Sequence, residues 1–151
     1  LLIMKKMIYV VLFAVLATFA QDVMAQPKKG AANDELKAKS EALMNTRLQM
    51  IKDELQLTDA QFAAFEPVYR EYRKAVGRVS DKGARVKKED LTNENVLKVM
   101  SIRLSNTINT ASVKQKYLWI FAEIIEPLQI EKLYRIDDRI AKEARKIVQY
   151  K

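Results

Sequence analysis

The chain has 151 residues, of which 49% are hydrophobic and 30% charged, and its formal net charge is +8 at pH 7. It contains no cysteine and no histidine, which excludes disulfide frameworks and removes the residues most used in acid–base, covalent and soft-metal chemistry. With only three glycines and three prolines, a hairpin-rich β fold is disfavoured, and we expect an all-helical fold.

The N-terminal segment has the pattern of a secretory signal peptide. Two lysines precede a nearly apolar run over residues 7–20, and a small-residue cleavage pattern ends at Ala25. The run is shorter than the roughly 18 residues that a membrane span needs, although an uncleaved anchor is the alternative. We therefore expect residues 1–25 to direct Sec-dependent export to the periplasm and 26–33 to form a flexible leader. No integral membrane span would remain after cleavage.

The remainder is predicted to be a single helical domain over residues 34–151. Apolar residues recur every three or four positions, which indicates amphipathic helices joined by short turns. We expect two helix-turn-helix halves arranged as a thin antiparallel bundle. The four predicted helices span residues 34–56, 59–79, 93–124 and 127–148, and a polar, basic hinge occupies residues 80–88.

The second helix begins with a capping box. Thr58 can accept a hydrogen bond from the first turn, and Gln61 can reach back to the backbone N–H of the cap. Leu57 and Phe62 occupy the positions of a hydrophobic staple around this start. Gln129 stands at the same place in the fourth helix, where a glutamate replaces the threonine, and it can keep the reach-back hydrogen bond.

The spacing also predicts features of the third and fourth helices. Asp137 interrupts the apolar stripe of the fourth helix and is expected to face a partner or the rim. A capping pair, Thr92 with Asn95, is expected before the third helix. The apolar face predicted for the third helix consists of Leu97, Met100, Leu104, Ile108, Ala111, Leu118 and Ile125.

Residues 116–125 stand apart because they are apolar nearly all round and include the only tryptophan of the chain. A helix that is apolar on every side must be buried on more than one side. We therefore hypothesise a homodimer interface or a client-binding surface here. The alternative is a central helix in a monomeric bundle. The candidate surface consists of Tyr117, Trp119, Ile120, Phe121 and Ile124.

Basic residues cluster near the ends of the second and fourth helices. They could simply form a solvated face, or they could form an electropositive surface that attracts anionic chains and weakens as salt rises. For an exported protein the expected anionic partners are acidic unfolded chains, envelope polymers or membrane surfaces rather than nucleic acid. The candidate basic face consists of Arg70, Arg73, Lys74, Arg78, Arg135 and Arg139.

Together, the signal-peptide pattern, the small helical chain and the motif Leu57-Thr58-x-x-Gln61 with its worn copy at Gln129 resemble the LTxxQ-motif family of Spy/CpxP-like periplasmic envelope-stress proteins. Residues 130–134 resemble versions from Bacteroidetes-type bacteria. The resemblance covers most of residues 34–150 and implies a thin, curved, antiparallel dimer with coiled-coil contacts. In the second copy only the glutamine matches the motif.

The resemblance implies two alternative functions. The first is an ATP-independent holdase chaperone that binds unfolded envelope proteins, and the second is a regulatory partner that docks on an envelope sensor and represses it. A metal-resistance sensor is a minor alternative, disfavoured because histidine and cysteine are missing. The soft donors left after cleavage are Met44, Met50 and Met100.

No catalysis, cofactor or metal site is expected from these residues. The carboxylate pairs Asp53 with Glu54 and Asp137 with Asp138 are adjacent, so their side chains point in different directions on a helix. No glycine-rich phosphate loop is present in the sequence. The sequence therefore predicts a binding protein rather than an enzyme.

Overall fold

The computed structural model describes the backbone of residues 29–80, 83 and 85–149, and the side chains of residues 33–80, 83 and 85–143. The predicted signal peptide lies outside the described residues. Within them the fold is all-helical and has no strand, as predicted, and none of these helices is both long and apolar enough to cross a membrane. The helices are α1 (Lys29–Leu55), α2 (Asp59–Arg78), α3 (Val96–Ala122) and α4 (Pro127–Gln149), with a short 3₁₀ turn at Lys88–Asp90.

The helix bounds differ from the predicted ones mainly at two places. α1 begins at Lys29, so residues 29–33 of the expected flexible leader are helical. α3 is shorter at its start because Thr92 and Asn95 form a turn before it. The Thr92 N–H donates to Asn95 Oδ1 at 2.9 Å, and the Asn95 N–H donates to Thr92 Oγ1 at 3.3 Å. The predicted contacts between Thr92 and Asn95 form, but they lie in the turn before α3, and the N-cap of α3, Asn95, makes no side-chain capping hydrogen bond.

The chain divides into two compact units that differ from its two sequence halves. One unit contains α1 and the part of α4 from Glu131 onward, and the other runs from Asp59 to Ile130. The predicted halves would pair α1 with α2 and α3 with α4. In the structure α2 packs against α3 instead.

In the first unit, the end of α1 is closed by a Schellman motif. Gln56 has φ of 54°, a left-handed conformation that usually favours glycine. The Gln56 N–H donates to the carbonyl of Asp53 at 3.4 Å, and the Leu57 N–H donates to the carbonyl of Lys52 at 3.0 Å. Two carbonyls that a helix end would leave open are thereby satisfied.

Glu54 links α1 to α4 within the same unit. Its backbone carbonyl accepts a hydrogen bond from Lys132 Nζ at 2.5 Å, and its carboxylate accepts one from Arg139 Nη2 at 2.7 Å. These contacts satisfy a third terminal carbonyl of α1 and hold the two helices at that point. The unit's buried apolar residues are Leu48, Met50, Ile51, Leu55, Leu57, Leu133, Ile136 and Ile140.

Asp137 lies among the buried residues of α4, with 3% of its surface exposed. The expectation that it faces a partner or the rim is therefore wrong for the single chain, because the helix turns this position inward with Leu133 and Ile136. Burial, and then the neighbouring Asp137 carboxylate, raise the pKa of Tyr134 to about 12. Both causes disfavour the tyrosinate anion.

In the second unit, an aromatic cluster holds α2 against α3. The Phe65 ring lies 5.4 Å from that of Phe121, and the Tyr72 ring lies 5.4 Å from that of Tyr117. These two contacts run in opposite directions along the helices, so α2 and α3 are antiparallel. Phe65 also stacks on Tyr69 at 5.3 Å. Aromatic pairs of this kind contribute about 0.5–1.5 kcal/mol each beyond their buried area.

Candidate functional site

The most unusual surface of the described chain is one side of α3. At 100° per residue, eight positions spaced three or four apart fall within an arc of about 100° on this helix. All eight are exposed, including Leu97 at 76%, Ile108 at 68% and Trp119 at 69%. We call this surface the outer stripe; its members are Leu97, Met100, Leu104, Ile108, Ala111, Gln115, Trp119 and Ala122.

The opposite side of α3 packs on α2. Phe121 is fully buried in the aromatic cluster and Val99 is 5% exposed. The other members of this inner face are half-buried: Ile102, Asn106, Thr110, Val113 and Tyr117. α3 therefore carries two faces about half a turn apart, of which α2 covers only one.

The predicted apolar face of α3 largely coincides with the exposed outer stripe. Leu97, Met100, Leu104, Ile108 and Ala111 lie on one face of α3, as the spacing predicted, but all five are exposed in the single chain. The physical reason is that the aromatic rings of Tyr117 and Phe121 seat α3 on α2. Once those rings point inward, residues half a turn away must point outward.

The candidate surface predicted at residues 116–125 is divided by the structure. Tyr117 and Phe121 belong to the aromatic cluster, in which Phe121 is fully buried and Tyr117 is half-buried. Ile120 and Ile124 are half-buried. Of the five predicted residues, Trp119 alone lies on the outer stripe.

The charges beside the outer stripe are mostly positive. The sequence of α3 contains no aspartate or glutamate. Arg103 Nη2 donates to the backbone carbonyl of Val86 at 2.9 Å, which ties the preceding loop to the helix. Lys98 and Lys116 are exposed on one flank of the stripe, and Glu123 follows on that flank just after the helix ends. The remaining basic residue of α3 is Lys114.

The residues of the predicted basic face are divided between the two units, and Arg70, Arg135 and Arg139 are in ion pairs. Arg70 pairs with Glu66 at 2.9 Å, and Arg135 pairs with Glu131 at 2.6 Å. Arg139 pairs with Glu54, as described above. Lys74 and Arg78 are exposed, and Arg73 is half-buried.

The worn copy of the Leu57-Thr58-x-x-Gln61 pattern at Gln129 makes the predicted hydrogen bond. The Glu126 N–H donates to Gln129 Oε1 at 2.9 Å, which is the predicted reach-back contact at the start of α4. In the first copy, α2 begins at Asp59, directly after Thr58, where a cap belongs. The reciprocal contact of Gln61 stays a prediction.

No group of three or more aspartate, glutamate, histidine or cysteine side chains that could hold a metal ion occurs among the described residues. The three methionines named above have different environments. Met50 is buried, Met44 is half-buried and Met100 is exposed on the outer stripe.

An eleven-residue repeat in the sequence could have indicated the outer stripe. Leu97, Ile108 and Trp119 are eleven residues apart, and so are Met100, Ala111 and Ala122.

Comparison of the chain with protein-family models, with curated proteins and with solved structures finds no match.

Proposed function

We propose that this protein is an exported, ATP-independent holdase chaperone that binds unfolded envelope proteins along the outer stripe of α3. The observation that carries the proposal is the exposure of the stripe, with Leu104 at 62% and Ile108 at 68%. Contiguous apolar surface of this kind on a protein marks an interaction site. It fits binding better than catalysis, because the stripe offers apolar area and no reactive group.

Burial of apolar area would supply the affinity for an unfolded chain. Each square ångström removed from water contributes about 25 cal/mol, whatever the order of the residues in the client. A straight stripe without deep pockets suits many sequences, which is the property that a holdase needs. Release would follow when the client folds and buries its own apolar residues.

Electrostatic attraction would speed the encounter with acidic clients. Lys98 and Lys116 flank the stripe, and the chain left after cleavage at Ala25 keeps a net charge of +7, because the +8 of the whole chain includes Lys5, Lys6 and Asp22. Long-range attraction of this kind falls as the ionic strength rises, since salt screens exposed charges beyond about 10 Å at 0.1 M. The proposal therefore includes a salt-dependent rate of client capture.

The compartment is also part of the proposal. It rests on the signal-peptide pattern of residues 1–25 and on the resemblance to the LTxxQ-motif family, to which the hydrogen bond at Gln129 adds support. N-terminal sequencing of the protein from a periplasmic fraction should find Gln26 at the new N-terminus. A protein retained in the cytoplasm with an intact N-terminus would contradict the export proposal.

We also propose that the chain associates as a homodimer. An apolar stripe of this length, left exposed, favours self-association in water. Sedimentation at several concentrations tests this independently of any client.

The holdase activity is tested by light scattering. Reduced α-lactalbumin, an acidic client, is diluted into buffer with and without the purified protein, at low and high salt. We expect the protein to suppress scattering, and less so at high salt. Ile108→Glu places a charge in the middle of the stripe and should abolish most of the suppression, because client contact would bury that charge.

Asn109→Glu is the matched control. It adds the same charge at the next residue, which is exposed but lies outside the stripe. It should keep nearly all of the suppression. Equal losses in both variants would point to net charge rather than the stripe. No suppression by the wild-type protein at several-fold excess would reject the holdase proposal and favour the regulatory partner of an envelope sensor.

A further inference from the structure

We infer that the outer stripe of α3 also docks on anionic phospholipid bilayers, with the helix lying in the plane of the headgroups and Trp119 entering the boundary of the acyl chains. This docking goes beyond the capture of unfolded clients and does not depend on it. Two properties of α3 support it: the straightness of the apolar stripe and the cations on both of its flanks.

The stripe is straight enough to lie along a flat surface. Leu97, Ile108 and Trp119 are eleven residues apart, which corresponds to about 3.67 residues per turn and almost matches the 3.6 of an α-helix. The stripe therefore runs nearly parallel to the axis of α3, and from Leu97 to Ala122 it extends about 38 Å at 1.5 Å per residue. Because α2 packs on the opposite side of α3, α2 does not stand between the stripe and such a surface.

The side chains of the stripe suit the boundary between headgroups and acyl chains. Amphipathic helices bury their apolar face about 5–10 Å deep at this boundary. Leu104 and Ile108 are aliphatic and exposed at the middle of the stripe, and Trp119 is 69% exposed near its end. Tryptophan is enriched at membrane surfaces because its ring is apolar and its N–H is polar. Gln115 is the one polar member of the stripe.

Basic residues accompany the stripe on both sides. Lys98 and Lys116 lie about 110° around the helix from the middle of the stripe, and Arg103 and Lys114 lie about 90–110° from it in the other direction. These positions are level with the headgroups when the stripe lies in the acyl boundary, and long basic side chains can extend there while their stems stay in apolar surroundings. The sequence of α3 contains no acidic residue, and Glu123 follows just after its end.

The loop before α3 adds charge to one of these flanks. Arg103 Nη2 donates to the carbonyl of Val86, so the loop is held at the side of the helix from which Arg103 extends. Arg85 and Lys87, on either side of Val86, are exposed. Lys87 lies 4.0 Å from Glu89, which compensates part of its charge. This contribution comes from tertiary structure, since the loop and Arg103 are some seventeen residues apart.

The order of the charges matches an anionic bilayer better than other occupants. A bilayer presents a continuous apolar layer below a continuous layer of phosphates. The stripe presents the same order across its width, with an apolar centre and positive flanks. Juxtaposed basic residues attract anionic lipid, and the apolar centre then contributes in proportion to the area that it buries.

The first test uses vesicles of phosphatidylcholine and phosphatidylglycerol in equal parts, at protein concentrations below those at which sedimentation detects self-association. Trp119 is the only tryptophan, so its emission reports on the stripe and not on residues 1–25. We expect the emission to move to the blue and to be quenched by lipids brominated near the headgroup end of their acyl chains. An unchanged emission, or a ring that a second copy already covers at the lowest concentration, would overturn the docking.

The second test removes charge from one flank. Lys98→Gln with Lys116→Gln should weaken binding to the anionic vesicles roughly 30-fold and should leave binding to pure phosphatidylcholine unchanged. The matched control is Lys74→Gln with Arg78→Gln, which removes the same charge from exposed positions of α2 about half a turn from the rings that face α3. The control should stay within about threefold of wild type, because salt screens distant charges. Equal losses would overturn the role of the flanks.

The third test changes the apolar centre without changing charge. Ile108→Ser should weaken vesicle binding roughly tenfold, since less apolar area leaves water. Asn109→Ser is the control at the next residue, which lies outside the stripe, and it should bind as the wild type does. Both positions are exposed, so circular dichroism should report an unchanged fold. An Ile108→Ser variant that binds as tightly as the wild type would overturn the insertion of the stripe.

Lipid docking and holdase activity are measured separately. The vesicle measurements contain no client, and the scattering assay contains no lipid. Vesicle binding without suppression of scattering would reject the proposed function and leave the docking standing. Suppression without vesicle binding would reject the docking and leave the proposed function standing.

Discussion

α3 and α4 carry comparable apolar stripes and use them differently. On α4 the stripe is buried, with Leu133 fully covered and Ile136 at 2% exposure, whereas on α3 Leu104 is 62% exposed. Both stripes follow the spacing of an amphipathic helix. The comparison teaches that the spacing predicts an apolar face but does not say whether the same chain covers it.

The difference arises from a competition between two faces of α3. One face holds Tyr117 and Phe121, and the other holds the aliphatic outer stripe. Aromatic rings bury 150–250 Å² each and gain further from ring contacts, so the aromatic face is the stronger candidate for burial. α4 has a single apolar face and thus meets no such competition.

The difference between α3 and α4 is tested most directly by the same substitution on each helix. Leu133→Ala should lower the free energy of unfolding by about 2–5 kcal/mol, because it leaves a cavity in a buried site. Leu104→Ala should change it by less than about 0.5 kcal/mol at concentrations where the chain is monomeric. Urea unfolding followed by circular dichroism measures both. Equal losses would mean that the outer stripe is covered in the free chain.

A smaller effect is expected at the end of α1, in the unit that contains most of α4. Gln56 has a left-handed backbone conformation at φ of 54°, which glycine adopts without steric cost. Gln56→Gly should therefore raise the free energy of unfolding by roughly 0.5–1 kcal/mol. Gln56→Ala is the control and should not stabilise, since alanine keeps the Cβ. A gain from alanine equal to that from glycine would contradict the strain argument.

The smallest effect concerns alkaline pH and is confined to α4. The folded chain raises the pKa of Tyr134 to about 12 from the ordinary 10 of tyrosine, because burial and Asp137 disfavour the anion. The resulting stability is fully present below pH 10 and is lost as the pH rises toward 12. Tyr134 is half-buried, so solvent screens part of this effect.

Tyr134→Phe isolates that contribution. The difference in urea midpoint between wild type and Tyr134→Phe should be constant from pH 7 to 9 and should change between pH 10 and 12, with the wild type losing more. A constant difference across the whole range would show that the tyrosine does not respond to its surroundings in this way.

Much of the fold could be predicted because its causes are local. The turn at Thr92, just before α3, and the start of α4 at Glu126 follow from side chains that satisfy neighbouring backbone groups, and both predicted contacts form. The end of α1 could be placed only to within a residue, because its left-handed residue is a glutamine, which gives no signal of a helix end.

The candidate site could be predicted only in part. Trp119 belongs to both the predicted surface and the outer stripe, whereas Phe121, two residues later, is fully buried. The sequence says that both are large and apolar, and residues this close on a helix differ in direction by about 200°. Which of the two directions faces α2 depends on contacts with rings that are some fifty residues away along the chain.

By itself, the sequence determined that this protein is helical, where most of its helices begin, and that α3 is apolar on more than one side. These properties depend on backbone hydrogen bonding and on periodicity within a few residues. Only the tertiary structure decided that the aromatic face of α3 packs on α2 and that the outer stripe remains exposed. That outcome is a competition between faces for the same neighbour, and burial of the larger rings prevails because it removes more apolar area from water.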